Sequence, residues 1–192
     1  YNVSPADAMY DYPKMLDAQT QFLKDFTPDV YCSPAFIGSG KILEILDYRL
    51  YKWPRGGGLP EESLYQCIEE EYMEAGDYQW LIDDPSDFWL RKYMPATFNK
   101  LAPLANISPF TNLWEVVGVS GQMIPFGDPG VQEALKALME AGTEAMNWVQ
   151  HIGGWEMQAK GMGFPSGVGG ASKAPFDILA DTLRGTRAMM MD

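Results

Sequence analysis

A single amphipathic run, opening at Asp128 or Pro129, limits the possible folds of this chain more than any other feature. Val131, Ala134, Leu135, Leu138, Ala141, Ala145, Trp148 and Val149 recur at helical spacing, while Gln132, Glu133, Lys136, Glu140 and Glu144 fall opposite. A helix with one apolar stripe has to bury it against other elements. Gly153 and Gly154 close the pattern. His151, the one histidine of the chain, then sits at the helix end, where a cation near the negative pole is stabilised. A catalytic histidine would need a partner nucleophile, and no Cys or Ser stands near it in a recognisable local motif.

The composition, 46% hydrophobic and 21% charged, is that of an ordinary globular chain, and 192 residues can enclose a sizeable core. No apolar stretch reaches the roughly 20 residues that cross a bilayer, so no membrane partner is expected. A net charge of −12 with only 14 scattered Lys and Arg argues against nucleic acid, since phosphate binding wants clustered cations. Cys32 and Cys67 fit no CxxC spacing and are too few for a disulfide scaffold, which points to a reducing, cytoplasmic setting.

Met15, Ala18, Gln19, Phe22, Leu23 and Phe26 predict an amphipathic helix over 12–27, ended by Pro28. A β-prone run follows at 29–34, and helical character returns from Phe36 to Leu46. This alternation is half of an α/β repeat. Pro54-Arg-Gly-Gly-Gly-Leu-Pro60 is a loop. Its three glycines would let backbone approach a ligand, but no GK[ST] follows, and a hairpin or crossover turn is the favoured reading.

Residues 61–104 combine eight aromatic residues with Glu69, Glu70, Glu71, Glu74, Asp77, Asp83, Asp84 and Asp87. Neighbours such as Asp83 and Asp84 do not share a helix face, so a solvated acidic surface is favoured over a metal site. Ser86 is the expected N-cap of a helix through Leu101, kinked or divided at Pro95. The glycines of 161–173 follow no β-branched strand and open no helix as GxGxxG, so they read as a flexible loop. The chain starts without methionine and stops at Asp192 inside a helical pattern, which suggests an internal piece of a longer protein.

Three stretches carry a family likeness. They are Phe26-Thr-Pro-Asp-Val-Tyr-Cys-Ser33 leading to Ile45-Leu-Asp-Tyr-Arg-Leu-Tyr-Lys-Trp-Pro54; Glu71-Tyr-Met-Glu-Ala-Gly-Asp-Tyr78 with Leu81-Ile-Asp-Asp-Pro-Ser-Asp-Phe-Trp-Leu-Arg91; and Ala174-Pro-Phe to Leu183-Arg-Gly185. Through them the chain resembles the uroporphyrinogen decarboxylase superfamily, which includes corrinoid-linked methyltransferases, and in particular its decarboxylase-like branch. The resemblance implies an α/β fold, a partial (β/α)8 TIM barrel. A full barrel takes roughly 250 residues, so about the second to fourth βα units are expected in one partial domain, with a helical insertion at about 61–125.

The same resemblance supplies the candidate site. The family's decarboxylases end an early strand with Phe-Ser-Asp; here Ser33 is followed by Pro34, which cannot accept the hydrogen bonds that the aspartate does. Matching Ala174-Pro175-Phe176 to the family's Ala-Pro-Trp strand puts Asp181 where a cleft tyrosine stands. Asp181 is therefore the candidate catalytic residue, able to bind a cation, take a proton or pair with Arg184, against the plain reading of a helix first-turn residue. Ser33, Phe176 and Arg184 are the candidate substrate-binding residues. Zinc-dependent members use a His-x-Cys pair and a later Cys, which would lie beyond Asp192, so no metal ligand is expected here.

These positions imply three functions for the intact protein. The first is methyl transfer with a corrinoid protein as partner, with zinc and a corrinoid as its cofactors. The second is decarboxylation of uroporphyrinogen III, a tetrapyrrole substrate, in porphyrin biosynthesis. The third is non-catalytic binding of a tetrapyrrole or corrinoid. The piece alone is expected to be inactive.

Overall fold

The computed structural model describes residues 1–110, 114–167, 178–189 and 191. They are mostly helical, with one small two-stranded sheet. In chain order the main elements are α1 (Pro5–Tyr10), α2 (Tyr12–Phe26), α3 (Gly40–Leu46), β1 (Tyr51–Lys52), β2 (Gln66–Cys67), α4 (Tyr78–Asp83), α5 (Pro85–Phe88), α6 (Met94–Thr97), α7 (Glu115–Gln122) and α8 (Pro129–Gly161). Helix and sheet are both present, but a succession of parallel strands is not found among the described residues. The chain divides into two units: residues 1–44, 51–66 and 141–172 form one, and residues 45–50, 67–140 and 173–192 the other.

In the first unit α2 matches its expected bounds within a residue. Asp11 caps it by accepting from Lys14 N–H, and Thr27 in the left-handed region ends it ahead of Pro28. Met15, Leu16 and Leu23 pack with Tyr31 against Ile152, Trp155 and Ala159 of α8. Phe22 and Phe26, expected in this stripe, instead lie exposed with their ring centroids 4.9 Å apart. Among the described residues the β-prone run makes a single parallel bridge, Tyr31 to Ser166, and then turns at Pro34 into a 3-10 segment, Pro34–Phe36. Proline has no N–H to extend a ladder, which is why the strand does not develop.

α3 starts at Gly40, four residues later than Phe36. Ser39 interrupts the pattern because its Oγ accepts from Ile42 N–H and fixes the helix start there. The triple glycine lies between β1 and β2, as the turn reading expected. A Cβ at Gly57 would come within 2.3 Å of the Trp53 ring, so close packing inside the loop accounts for that glycine.

α8 does not close at Gly153 and Gly154 but runs 33 residues to Gly161. Two glycines weaken a helix by about 1 kcal/mol each, and the burial of Ile152, Trp155 and Ala159 outweighs that. Asp128 caps its start through Gly130 and Val131 N–H. The helix ends where Gly163 takes a φ of 95° and Phe164 N–H reaches back to Ala159 C=O, at 3.0 Å. His151 is consequently inside the helix, with Nδ1 2.8 Å from Asn147 C=O, and the expected dipole stabilisation does not apply to it. The stripe also rotates: Leu135 and Val149 are exposed, while Ala137 and Ile152 are buried.

In the second unit the helical run from Pro85 is capped by Asp84, whose Oδ1 accepts from Asp87 N–H, and Ser86 lies inside it. The run is neither broken nor continued to Leu101. It widens into a π turn at Trp89–Tyr93, returns to α geometry in α6 and passes after Phe98 into a 3-10 stretch, Asn99–Asn106. Pro95 has no N–H for the carbonyl one turn back, and the i−5 bond from Met94 N–H to Trp89 C=O shows how the ladder is reset just before it. Leu50, Tyr72, Met73, Phe88 and Leu183 form the core of this unit.

Candidate functional site

The second unit carries the candidate site, because its backbone joins two distant pieces of sequence. Tyr72 N–H and Met73 N–H both donate to Leu183 C=O, at 2.6 and 2.9 Å. This pins residues 71–73 against the π-wound segment Ile178–Arg184. Gly185, with φ 72°, turns the chain out of that segment into the short helix Thr186–Met189. An alanine there would be strained.

Around this junction lies an open cavity of about 530 Å³, lined by Glu69, Glu70, Glu71, Arg184, Gly185, Arg187, Ala188 and Met191. Arg184 is 3% exposed. Its Nη1 donates to Met73 C=O at 2.6 Å and to Glu71 Oε1, and its guanidinium carbon is 6.0 Å from the Tyr78 ring centroid. Glu71, by contrast, is half exposed, and Glu70 reaches Arg49 at 4.0 Å. A buried guanidinium requires a counter-charge, and here a mobile-length, solvent-facing carboxylate supplies it. The cavity lining thus carries carboxylates and guanidiniums side by side.

Each sequence candidate has a definite standing. Arg184 lines the cavity. Asp181 lies in Ile178–Arg184, where only its backbone is described. Phe176 is outside the described residues. Ser33 belongs to the first unit, where its Oγ donates to Glu156 Oε1 at 2.5 Å and accepts from Ala35 N–H; both contacts are structural. The acidic run is also less solvated than expected. Arg91 grips Asp87 with Nε and Nη2 at 2.6 and 2.5 Å, Trp80 Nε1 donates to the same carboxylate, and Lys92 pairs with Asp77 at 2.9 Å. Arg91 holds the Asp87 carboxyl below the usual carboxylate range. Burial opposes ionisation of Asp77, but Glu74 N–H and Lys92 together keep its carboxyl low as well.

Sequence reasoning missed Glu69, Glu70 and Arg187 as lining residues and the pairing of Arg184 with Glu71. The available signal was that Glu71 opens one of the likeness-bearing stretches and Arg184 stands next to the end of another. It also missed a polar knot in the first unit. Tyr12 gives its hydroxyl proton to Glu144 Oε1 at 2.6 Å, so the buried Ser39 donates to the Tyr12 oxygen at 2.5 Å. Lys41 Nζ stands 3.7 Å from Glu144 and 4.6 Å from the Tyr12 ring centroid. Nothing in the local spacing of these residues links them.

Among the described residues no three His, Cys, Asp or Glu side chains converge as a metal site requires, and Cys32 and Cys67 are exposed free thiols. No helix among them is long and apolar enough to cross a membrane. Compared with protein-family models, curated proteins and solved structures, the chain finds no match.

Proposed function

We propose that this chain is part of an enzyme related to the uroporphyrinogen decarboxylase superfamily, and that the whole protein transfers methyl groups with a corrinoid protein as partner. One observation carries the reading: the likeness-bearing stretches meet. Leu50, Tyr72, Met73, Phe88 and Leu183, drawn from all three, share one core, and Glu71 and Arg184 from two of them line the cavity beside it. Pro34, in place of a hydrogen-bonding aspartate, weighs against the decarboxylation for which the superfamily is named.

In this reading Arg184 and Arg187 orient an anionic group of the substrate, and Gly185 lets backbone come close to it. Asp181, carried over from the resemblance, would take or hold a proton. A partial barrel of about the second to fourth βα units, with 61–125 as its insertion, belongs to the same proposal and rests on the resemblance. The described residues offer no zinc donor set, and the ligands that the resemblance implies would lie beyond Asp192.

The test is an assay of the full-length protein with methylcobalamin and a thiol acceptor, followed by the visible spectrum of the cobalt centre. Loss of the methyl–cobalt band that depends on the protein supports methyl transfer. Conversion of uroporphyrinogen III to coproporphyrinogen, with no change in the cobalt spectrum, would replace it by the decarboxylase reading. With neither reaction, both fall and a non-catalytic binder remains.

A further inference from the structure

We infer that the first unit holds a binding site for a small neutral amphiphile, a molecule with an elongated apolar body and one uncharged polar end. The site is a cavity of about 270 Å³ lined by α1 and its N-terminal flank, the turn at 36–38 and the loop at 64–65. It shares no residue with the cavity at Arg184 and is independent of the reaction proposed for that cavity.

The walls are preformed. Ser4 caps α1 by accepting from Asp7 N–H while its own N–H donates to the Asp7 carboxylate. Ala6 N–H donates to Glu61 C=O at 3.2 Å, which ties α1 to the segment that carries Leu64. Ile37 N–H closes the 3-10 turn on Pro34 C=O at 2.9 Å, and the Ile37 side chain packs on the core that contains Met15 and Trp155. Phe36, Leu64 and Tyr65 line the same cavity and are each more than half exposed. Large apolar side chains left in water around a concavity mark a ligand site.

The lining selects the ligand class. In a chain of net charge −12, none of the ten lining residues is charged, and Ser4 and Tyr65 supply hydroxyls. An ion would give up its water there without gaining a counter-charge, whereas an apolar body gains by burial and a hydroxyl end finds donors and acceptors. A second cavity of about 370 Å³ shares Val3, Ala8 and Ile37 with the first, and Asn2 and Gln19 add uncharged amides to it. The shared wall gives the apolar body room to extend. A volume just below that of drug-sized sites sets a small occupant.

1-Octanol, octanoate and octylammonium are the probes, titrated calorimetrically into the whole chain at neutral pH and constant ionic strength. 1-Octanol should bind at least tenfold more tightly than either ion. From 1-butanol through 1-hexanol to 1-octanol the affinity should rise by roughly fourfold per methylene. Leu64→Glu, at a position 73% exposed, brings a charge to the rim. Gly38→Leu fills the cavity from a lining glycine where, among the described residues, a Cβ would meet no atom within 4 Å. Each variant should weaken 1-octanol at least fivefold with circular dichroism unchanged, and if one does not fold, the other decides. Octanoate bound as tightly as 1-octanol, no saturable binding of 1-octanol, or native affinity in the folded variants would overturn the site. Sedimentation tests the competing occupant: a dimer that Leu64→Glu dissociates would mean that a second copy fills the cavity, and the ligand site would fall.

Discussion

Tyr12 shows how much one hydroxyl can hold. It is 2% exposed and connects α2 to Ser39 and to Glu144 of α8. Tyr12→Phe leaves Ser39 and Glu144 without their shared partner and should cost about 1–3 kcal/mol in urea unfolding. Burial, aided by Glu144, also pushes the Tyr12 phenol above its ordinary value of 10.0. Burial and the Glu44 bond push Tyr10 up to about 12. A phenol raised in the folded state stabilises fully below its unfolded value and loses that contribution as pH rises through the folded value. Stability should therefore fall between about pH 10 and 12, and less steeply in Tyr12→Phe. Urea midpoints measured across that range, with tyrosinate absorbance as the second signal, check this; equal slopes would remove Tyr12 from the account. For Asp181, the proposed reaction predicts that replacement by Asn in the full-length protein lowers turnover with circular dichroism unchanged. Unchanged turnover would return Asp181 to the role of a helix residue.

At the scale of elements, capping and burial decide where helices begin and end. Asp84, rather than Ser86, closes the first turn of α5 because its side chain reaches Asp87 N–H. Asp84→Ala should cost about 1 kcal/mol, while Ser86→Ala should change little in the same denaturation series. α8 passes through Gly153 and Gly154, and among the described residues a Cβ at either would meet no atom beyond its own helix within 4 Å. Alanine at each should raise stability by about 0.5–1 kcal/mol, read as a higher thermal midpoint. A lowered midpoint would mean that these glycines have a packing role. The periods of α2 and α8 were legible because each repeats its apolar residues over several turns. The Gly pair was misread because local propensity says nothing of Trp155 and Ala159, whose burial comes from α2 and Tyr31. The run at 29–34 was misread for the reverse reason: its β-propensity was real, but a strand needs a partner ladder, and among the described residues Tyr31 has only a bridge.

At the scale of the whole molecule, each unit has its own core. In the second, Leu183 is 1% exposed and its carbonyl anchors Tyr72 and Met73. Leu183→Ala should destabilise that unit by about 2–5 kcal/mol and speed hydrogen exchange at the Tyr72 and Met73 amides. Protected amides in that variant would mean that the junction stands without the core. By itself the sequence determined the helical periods of α2 and α8, the end of α2 ahead of Pro28, the turn at the triple glycine and the acidic charge, because each depends on residues within a few turns of one another. Only the tertiary structure decided that Arg184 faces Glu71 and Met73, 113 and 111 positions away, and that Tyr12 meets Glu144, 132 away. Buried charges and hydroxyls take whatever partner the packed backbone brings within about 3 Å, and no local pattern of residues encodes that distance.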